Sequence, residues 1–440
     1  MSARPTPREF LFATWEGGGS VPPALTAAAR LLARGHRVRV MSDEANRAEA
    51  EAIGCEFVAW RRAPSRPDKS AETDIMRDWE AATPQDGLRC VFDRIMFGPS
   101  LAYAHDLLDE IARRPADVVV SSEMLFGAMI AAEAAGVRLA ILGTTVSIYP
   151  LPGVPPLGPG LLPARNAEER QAQAAMAAGL VAMLDEGLPP LNAARRALGL
   201  APVASVVDVI DRADRVLQGT AAAFDFPADH LPANFRYVGP LIDEIATGER
   251  WISPWPADDA RKLVVVSFST TFQDQTPAIQ RVIDALAVLP VRGLVTLGPA
   301  IDPAALRLGE NVVVRRAIRH GEAMREAAAV VTHCGHGTTA RALTSGAPIL
   351  AMPMGRDQAD IAARVVSRGA GLHLAADAAP ASIAAALRRL IGEPYFAAAA
   401  HRMGEAMRAE IAASPLVAEL EALAGRRPQP VRLGCCTTAA

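Results

Sequence analysis

Between Ala329 and Leu372 the chain reads AVVTHCGHGTTARALTSGAPILAMPMGRDQADIAARVVSRGAGL, a stretch rich in residue types that hold charged and hydroxylated ligands. An apolar run ends at Thr332; His333, Cys334, Gly335, His336 and Gly337 follow as a loop, and Thr338 and Thr339 open a helix. A glycine-bearing loop feeding a helix N-terminus presents backbone N–H groups and the positive end of a helix dipole, which favours phosphate. His333 can donate a hydrogen bond to the same anion. The competing reading is a structural turn capped by Thr338. Twenty residues beyond Gly337, Asp357 and Gln358 stand side by side at a second strand-to-helix turn. A carboxylate accepts two hydroxyl protons and a carboxamide both donates and accepts, so the pair suits adjacent sugar hydroxyls; taken alone, Asp357 reads first as a helix N-cap.

Such loops need strands to position them. Short β-branched runs alternate with alanine-rich stretches of helical period, the pattern of parallel strands joined by crossover helices. Strands are expected at Phe10 to Thr14, Arg37 to Met41, Val118 to Ser121, Leu139 to Leu142, Arg215 to Leu217 and Arg236 to Val238. Helices are expected over Pro23 to Arg34, Ala45 to Ile53, Leu101 to Arg113, Ala128 to Ala135 and Glu168 to Leu198. A second series of strands covers Lys262 to Phe268, Gly293 to Leu297, Val312 to Val314, Val330 to Thr332 and Ile349 to Met352, before a long helical stretch from Tyr395 to Leu423. Periodicity fades between Ala63 and Pro99, and proline and glycine dominate from Pro150 to Arg165; both read as loops over a cleft.

The chain has 440 residues, more than one hydrophobic core usually organises. The expected α/β organisation is a first lobe over residues 1–238, a proline-rich linker over 239–259, a second lobe over 260–425 whose last helices could pack back on the first, and a disordered tail over 426–440. Net charge is −3 and the basic residues are dispersed, which argues against nucleic acid as a partner. The N-terminus carries no signal-peptide core and no apolar run is long enough to span a membrane, so a cytoplasmic protein without stable membrane insertion is expected. Five cysteines, Cys55, Cys90, Cys334, Cys435 and Cys436, have neither metal-ligand spacing nor a disulfide framework. A dinucleotide-binding dehydrogenase is disfavoured, because no Gly-x-Gly-x-x-Gly follows the first strand.

The ordered series His-x-Gly-x-Gly-Thr, Gly-x-Pro, Asp-Gln and Gly-x-Gly resembles the donor-binding region of the family 1 glycosyltransferases, which use UDP- or TDP-sugars. Val238-Gly239-Pro240, the Arg34 to Val40 unit and Val266-Ser267-Phe268-Ser269-Thr270-Thr271 extend the resemblance across most of the chain. It implies a GT-B fold of two facing Rossmann-like domains, with a nucleotide diphosphate sugar as co-substrate, no metal and no other cofactor, and a small apolar acceptor on the first lobe. It also implies donor contacts from Ser269, Thr270, Ile318, His333, Gly335, His336, Gly337, Thr338, Asp357 and Gln358. In this reading an acceptor oxygen displaces the nucleotide with inversion, and His333 with the helix dipole balances the leaving charge.

The sequence departs from the family at two points. Ser20 stands where relatives place a catalytic histidine, and a lone hydroxyl cannot act as a base at neutral pH. Its ordinary role would be an N-cap ahead of Pro22 and Pro23. Glu16 and Glu123 are then the candidate bases, with His105 a weaker one, unless the acceptor is acidic enough to need none. Arg341 replaces the glutamate that holds ribose hydroxyls in relatives using UDP-sugars, which leans toward a TDP-sugar. Trp15, Trp79, Phe92, Met96, Phe97, Phe126 and Tyr149 could line a site for a phenolic, flavonoid-like or polyketide aglycone, or belong to the core. A sugar-nucleotide epimerase and a non-catalytic partner of another transferase are the competing functions. The assembly is expected to be a monomer or homodimer.

Overall fold

The computed structural model describes residues 6–243, 249–299, 301–316 and 318–426. Cys435, Cys436, Ala317, part of the expected linker and the expected tail from residue 427 onward lie outside the described residues. Two parallel sheets organise the rest. The first contains β1 (Glu9–Ala13), β2 (Arg37–Ser42), β3 (Glu56–Ala59), β4 (Val118–Ser122), β5 (Arg138–Gly143), β6 (Arg215–Gln218) and β7 (Phe235–Tyr237), in the order β3-β2-β1-β4-β5-β6-β7. The second contains β8 (Lys262–Ser267), β9 (Val291–Thr296), β10 (Val312–Arg315), β11 (Ala327–Thr332), β12 (Ile349–Ala351) and β13 (Gly371–His373), in the order β10-β9-β8-β11-β12-β13.

Both sheets are buried on two faces, which explains their near-continuous apolar runs. In β1, Leu11 and Ala13 enter the core on one face while Phe10 and Phe12 enter the other. In β8, Val264 and Val266 face one way and Leu263 and Val265 the other. Strand order reverses between β1 and β4 in the first sheet and between β8 and β11 in the second. Beyond the carboxyl ends of strands at such reversals a crevice opens, and ligands of doubly wound sheets bind there.

The expected strands are present, and two that sequence reading omitted, β3 and β13, are outermost in their sheets. Edge strands are short and half exposed, so they lack the apolar run that marks a central strand. The expected helix from Glu168 to Leu198 is two helices, Ala167–Leu184 and Leu188–Ala197, because Pro189 and Pro190 start a new one after a single tight turn. Likewise Pro415 divides the last stretch into Pro394–Ala412 and Leu416–Ala424. Leu416, Leu420 and Leu423 bury themselves against Phe10, Phe12 and Leu25 of the first lobe, so the chain ends by crossing back. The span from Ala63 to Pro99 is not loop throughout: helix Pro84–Val91 runs into a wider turn at Phe92–Met96. Among the described residues no helix is long and apolar enough to cross a membrane.

Candidate functional site

The loops that follow β1, β4, β5 and β6 in the first lobe meet those that follow β8, β11 and β12 in the second. Their contacts define the cleft. Thr145 Oγ1 donates to Asp357 Oδ2 at 2.5 Å, and Thr220 Oγ1 lies 2.8 Å from His336 Nε2. Gly158 N and Gly160 N, in the proline-rich loop, donate to Asp360 at 2.8 and 3.2 Å. Trp79 meets Phe272 edge to face, with ring centres 5.2 Å apart.

Gly18 sets how closely the loops after β1 and β8 approach. It adopts φ +70°, and a Cβ there would lie 2.7 Å from Thr271 Cγ2 and 2.8 Å from Thr270 Oγ1. Gly18→Ala is expected to cost about 1–3 kcal/mol through left-handed strain and this clash. A thermal or urea midpoint equal to that of the parent protein would contradict the close approach.

On the second lobe, β11 ends in a turn with Cys334 at φ +68°, and the next helix, His336–Thr344, is capped by Gly335. Thr338 therefore sits inside the first turn and is not the N-cap. The first N–H groups of that helix have no acceptor within it. His333 is buried beside Phe268, and burial, with the Arg356 charge adding, pushes its pKa down to about 3. At neutral pH the imidazole is uncharged in this environment and can offer a hydrogen bond. His336 points toward the first lobe, and burial lowers its pKa to about 4.

Asp357 occupies the N-cap position of helix Gln358–Ser367, yet its carboxylate makes no cap and reaches across to Thr145 instead. Burial raises its pKa. Gln358 is committed within its own lobe: its Oε1 accepts from Met354 N and Gly355 N at 2.7 and 3.2 Å, and its Nε2 donates to Gln273 at 2.8 Å. Gln273 in turn donates to Ser269 Oγ at 2.8 Å. The loops after β8 and β12 are thus one hydrogen-bonded unit, with Thr270 at its surface. Ile318 is buried in the core with Trp251, while His320 lies 3.1 Å from Thr296 Oγ1 at the end of β9.

The candidate bases separate clearly. Glu123 directly follows β4, and its Oε1 accepts from Thr144 N at 3.0 Å. Burial, with the charge of Asp357 across the cleft adding, raises its pKa to about 8. Glu16 is turned into its own lobe, where its Oε1 accepts from Gly18 N at 2.9 Å and its Oε2 lies 3.4 Å from Lys69 Nζ. Its backbone N–H donates to Asp43, whose own pKa burial raises to about 6. Glu16 braces the glycine loop. Ser20 stands at the expected N-cap position but does not cap; its backbone is already helical and its hydroxyl donates to Trp15 O at 3.0 Å. His105 is exposed on helix Ser100–Arg113.

Of the aromatic candidates, Phe92, Phe97 and Phe126 stack on one another in the core, with Met96 beside them. Tyr149 donates its hydroxyl to Glu123 O at 2.6 Å. Trp15 is buried with its indole N–H unpartnered, and Trp79 closes the seam between the lobes. Sequence reading passed over Thr145, Thr220, Asp78 and Arg356. Only Arg356 carried a signal, since it lies inside the Met354–Gln358 turn already singled out.

Comparison with known proteins agrees with this geometry. Residues 280–423 match the family described as erythromycin biosynthesis protein CIII-like, C-terminal domain. Over 422 residues the chain is 28% identical to 4'-demethylrebeccamycin synthase of Lentzea aerocolonigenes, covering 94% of this chain and 99% of that relative. Among solved structures, the calicheamicin glycosyltransferase CalG4 superposes with a TM-score of 0.74 at 21% identity, over 96% of this chain and 100% of its own. Glycosyltransferase VinC in complex with DTDP superposes with a TM-score of 0.65 at 19% identity, over 95% of this chain and 100% of its own. The fold is therefore that of the GT-B glycosyltransferases, and over nearly its whole length the chain is similar to glycosyltransferases of natural-product biosynthesis.

Proposed function

We propose that the chain moves a sugar from a nucleoside diphosphate carrier, seated at the carboxyl edge of the second sheet, to a small apolar acceptor seated at the edge of the first. The observation that carries this reading is that two buried carboxyl groups from opposite lobes are held by neighbouring residues of one loop: Glu123 accepts from Thr144 N at 3.0 Å and Asp357 from Thr145 Oγ1 at 2.5 Å. A carboxyl group with a pKa of about 8 can take a proton from a hydroxyl or a ring N–H as it attacks. Asp357 orients the sugar hydroxyls. The first-turn amides around Gly337 and Thr338, with the neutral His333, hold the diphosphate, and the reaction is a single displacement with inversion. It calls for no cofactor besides the donor.

A thymidine nucleotide suits Arg341 better than a uridine one, and the solved relative that carries DTDP supports that choice. A phenolic, flavonoid-like or polyketide acceptor suits the apolar first lobe. A non-catalytic role is the weaker reading, because an auxiliary protein has no use for a carboxyl group tuned near neutrality inside a cleft.

The test is a thermal-shift series with TDP, UDP and their sugars, followed by mass spectrometry with phenolic and macrolide acceptors. At a hundredfold excess over Kd a bound nucleotide stabilises by about 2.7 kcal/mol, a shift of several degrees. Asp357→Ala and His333→Ala are expected to lower transfer at least about tenfold each, one hydrogen bond's worth. Absence of any nucleotide-induced shift in the parent protein would refute the donor site.

A further inference from the structure

We propose that Arg356 binds the leaving diphosphate of the donor, in exchange with Asp78 of the opposite lobe. The proposal rests on the donor reading above and adds to it the residue that supplies the charge. The loops that would surround a diphosphate, Ser269–Thr271 and His333–Thr338, contain hydroxyls, amides and two uncharged imidazoles, and no cationic side chain. Departure of a nucleoside diphosphate builds full negative charge at that point, which calls for a preorganised cation.

Arg356 is placed to be that cation. It lies on the turn between β12 and helix Gln358–Ser367, directly before Asp357. Its Nη1 donates to Thr271 Oγ1 at 3.0 Å, in the loop after β8, and its charge reaches His333, in the loop after β11. The guanidinium therefore sits where the loops after β8, β11 and β12 converge. Of two further arginines near these loops, Arg364 is paired with Asp225 at 2.7 Å, and Arg341 lies inside helix His336–Thr344, where its Nη1 is 3.4 Å from Gly337 O and its charge acts on His320 and His336.

The remaining donors of Arg356 face the first lobe. Nε and Nη2 donate to the two oxygens of Asp78 at 2.8 and 2.9 Å, a forked pair. A phosphate presents two oxygens in the same arrangement with more charge, and the planar guanidinium fits either partner. Both ends of this bridge are held in uncommon backbone conformations. Arg356 has φ +56° after Gly355 at φ +157°, and Arg77, next to Asp78, has φ +48°. Left-handed arginines are strained, and such strain persists where the surrounding structure imposes it, often at ligand clamps.

The two halves of the bridge should then behave oppositely. Calorimetric titration of TDP, UDP, thymidine and uridine into the parent protein, Arg356→Gln, Arg356→Lys and Asp78→Asn, each at several salt concentrations, distinguishes the cases. Arg356→Gln is expected to weaken the nucleoside diphosphate at least about tenfold and to flatten its salt dependence, with nucleoside affinity held within about twofold. Arg356→Lys should recover part of the loss, since it keeps the charge without the fork. Asp78→Asn should bind the diphosphate as tightly as the parent or up to about fivefold more tightly, because a competing carboxylate is gone. Equal weakening in Arg356→Gln and Asp78→Asn, or unchanged affinity and salt dependence in Arg356→Gln, would overturn the proposal and leave a purely structural bridge. If Arg356→Gln does not fold, a diphosphate affinity in Arg356→Lys equal to that of the parent overturns it too. A parent protein that binds no nucleoside diphosphate refutes the donor reading itself, and with it this inference. Binding that is lost in His333→Ala but untouched in Arg356→Gln refutes the inference alone.

Discussion

Replacing Glu123 by glutamine is expected to lower sugar transfer by about 10²- to 10⁴-fold, the usual contribution of a positioned general base. The pH dependence makes the expectation specific. The basic form of Glu123 is its carboxylate, which forms as pH rises through the folded pKa of about 8. Parent kcat/KM should therefore climb about tenfold per pH unit below that value and level off above it. Glu123→Gln should show neither the climb nor the plateau. The same substitution should help the fold. A carboxyl group whose folded pKa lies above its unfolded value contributes stability that is full below the unfolded pKa and is lost as pH rises through the folded one. Parent stability should thus fall between the ordinary carboxyl range and about pH 8, and Glu123→Gln should unfold at higher temperature than the parent at pH 8. A variant with a parent-like pH profile would shift the burden of catalysis to an acidic acceptor.

The second large effect concerns the joint between the lobes. Asp225, in the loop after β6, pairs with Arg364 of helix Gln358–Ser367 at 2.7 Å, and their side chains are 1% and 4% exposed. The arrangement is saturated: Tyr237 donates its hydroxyl to Asp225 at 2.9 Å, and Arg364 also donates to Asp360 O at 2.9 Å and stacks over Phe226. Asp225→Ala leaves a buried guanidinium without its counter-charge and is expected to cost about 3–5 kcal/mol. A paired Asp225→Leu, Arg364→Met replacement should cost much less, since neither charge then has to be desolvated. Denaturant midpoints of the single and double variants decide this. A loss below about 1 kcal/mol in Asp225→Ala would mean that water reaches the joint and screens the pair.

Much of the second lobe's local structure was legible in the sequence. The glycine loop after β11, the Asp357–Gln358 turn and the central strands all express local rules: an apolar run buries on two faces, and a glycine lets the chain turn. The same rules failed where burial is partial. The edge strands β3 and β13 carry no continuous apolar run, and Phe92, Phe97 and Phe126 show the same residue type whether they line a cleft or fill a core. Proline positions decided two helix breaks that helical period alone concealed.

What the sequence left open is which of the two candidate glutamates could serve as a base. Glu16 and Glu123 are both carboxylates just past a strand end, and nothing nearby in the chain separates them. Glu16 meets Lys69 and Gly18, whereas Glu123 is buried without a cationic partner among the described residues and feels the charge of Asp357, and burial above all raises its pKa.

From the order of residues alone come the two doubly wound halves, the glycine turn after β11 and the resemblance to glycosyltransferases, because strand burial, turns and helix starts depend on neighbours close along the chain. Which side chains face one another across the cleft is settled by packing. Thr145 and Asp357 lie 212 positions apart and Asp78 and Arg356 lie 278 apart, and such pairs exist only once two sheet edges have been brought together. Charge, proton affinity and lobe closure follow from that meeting, since they depend on distance and on the exclusion of water.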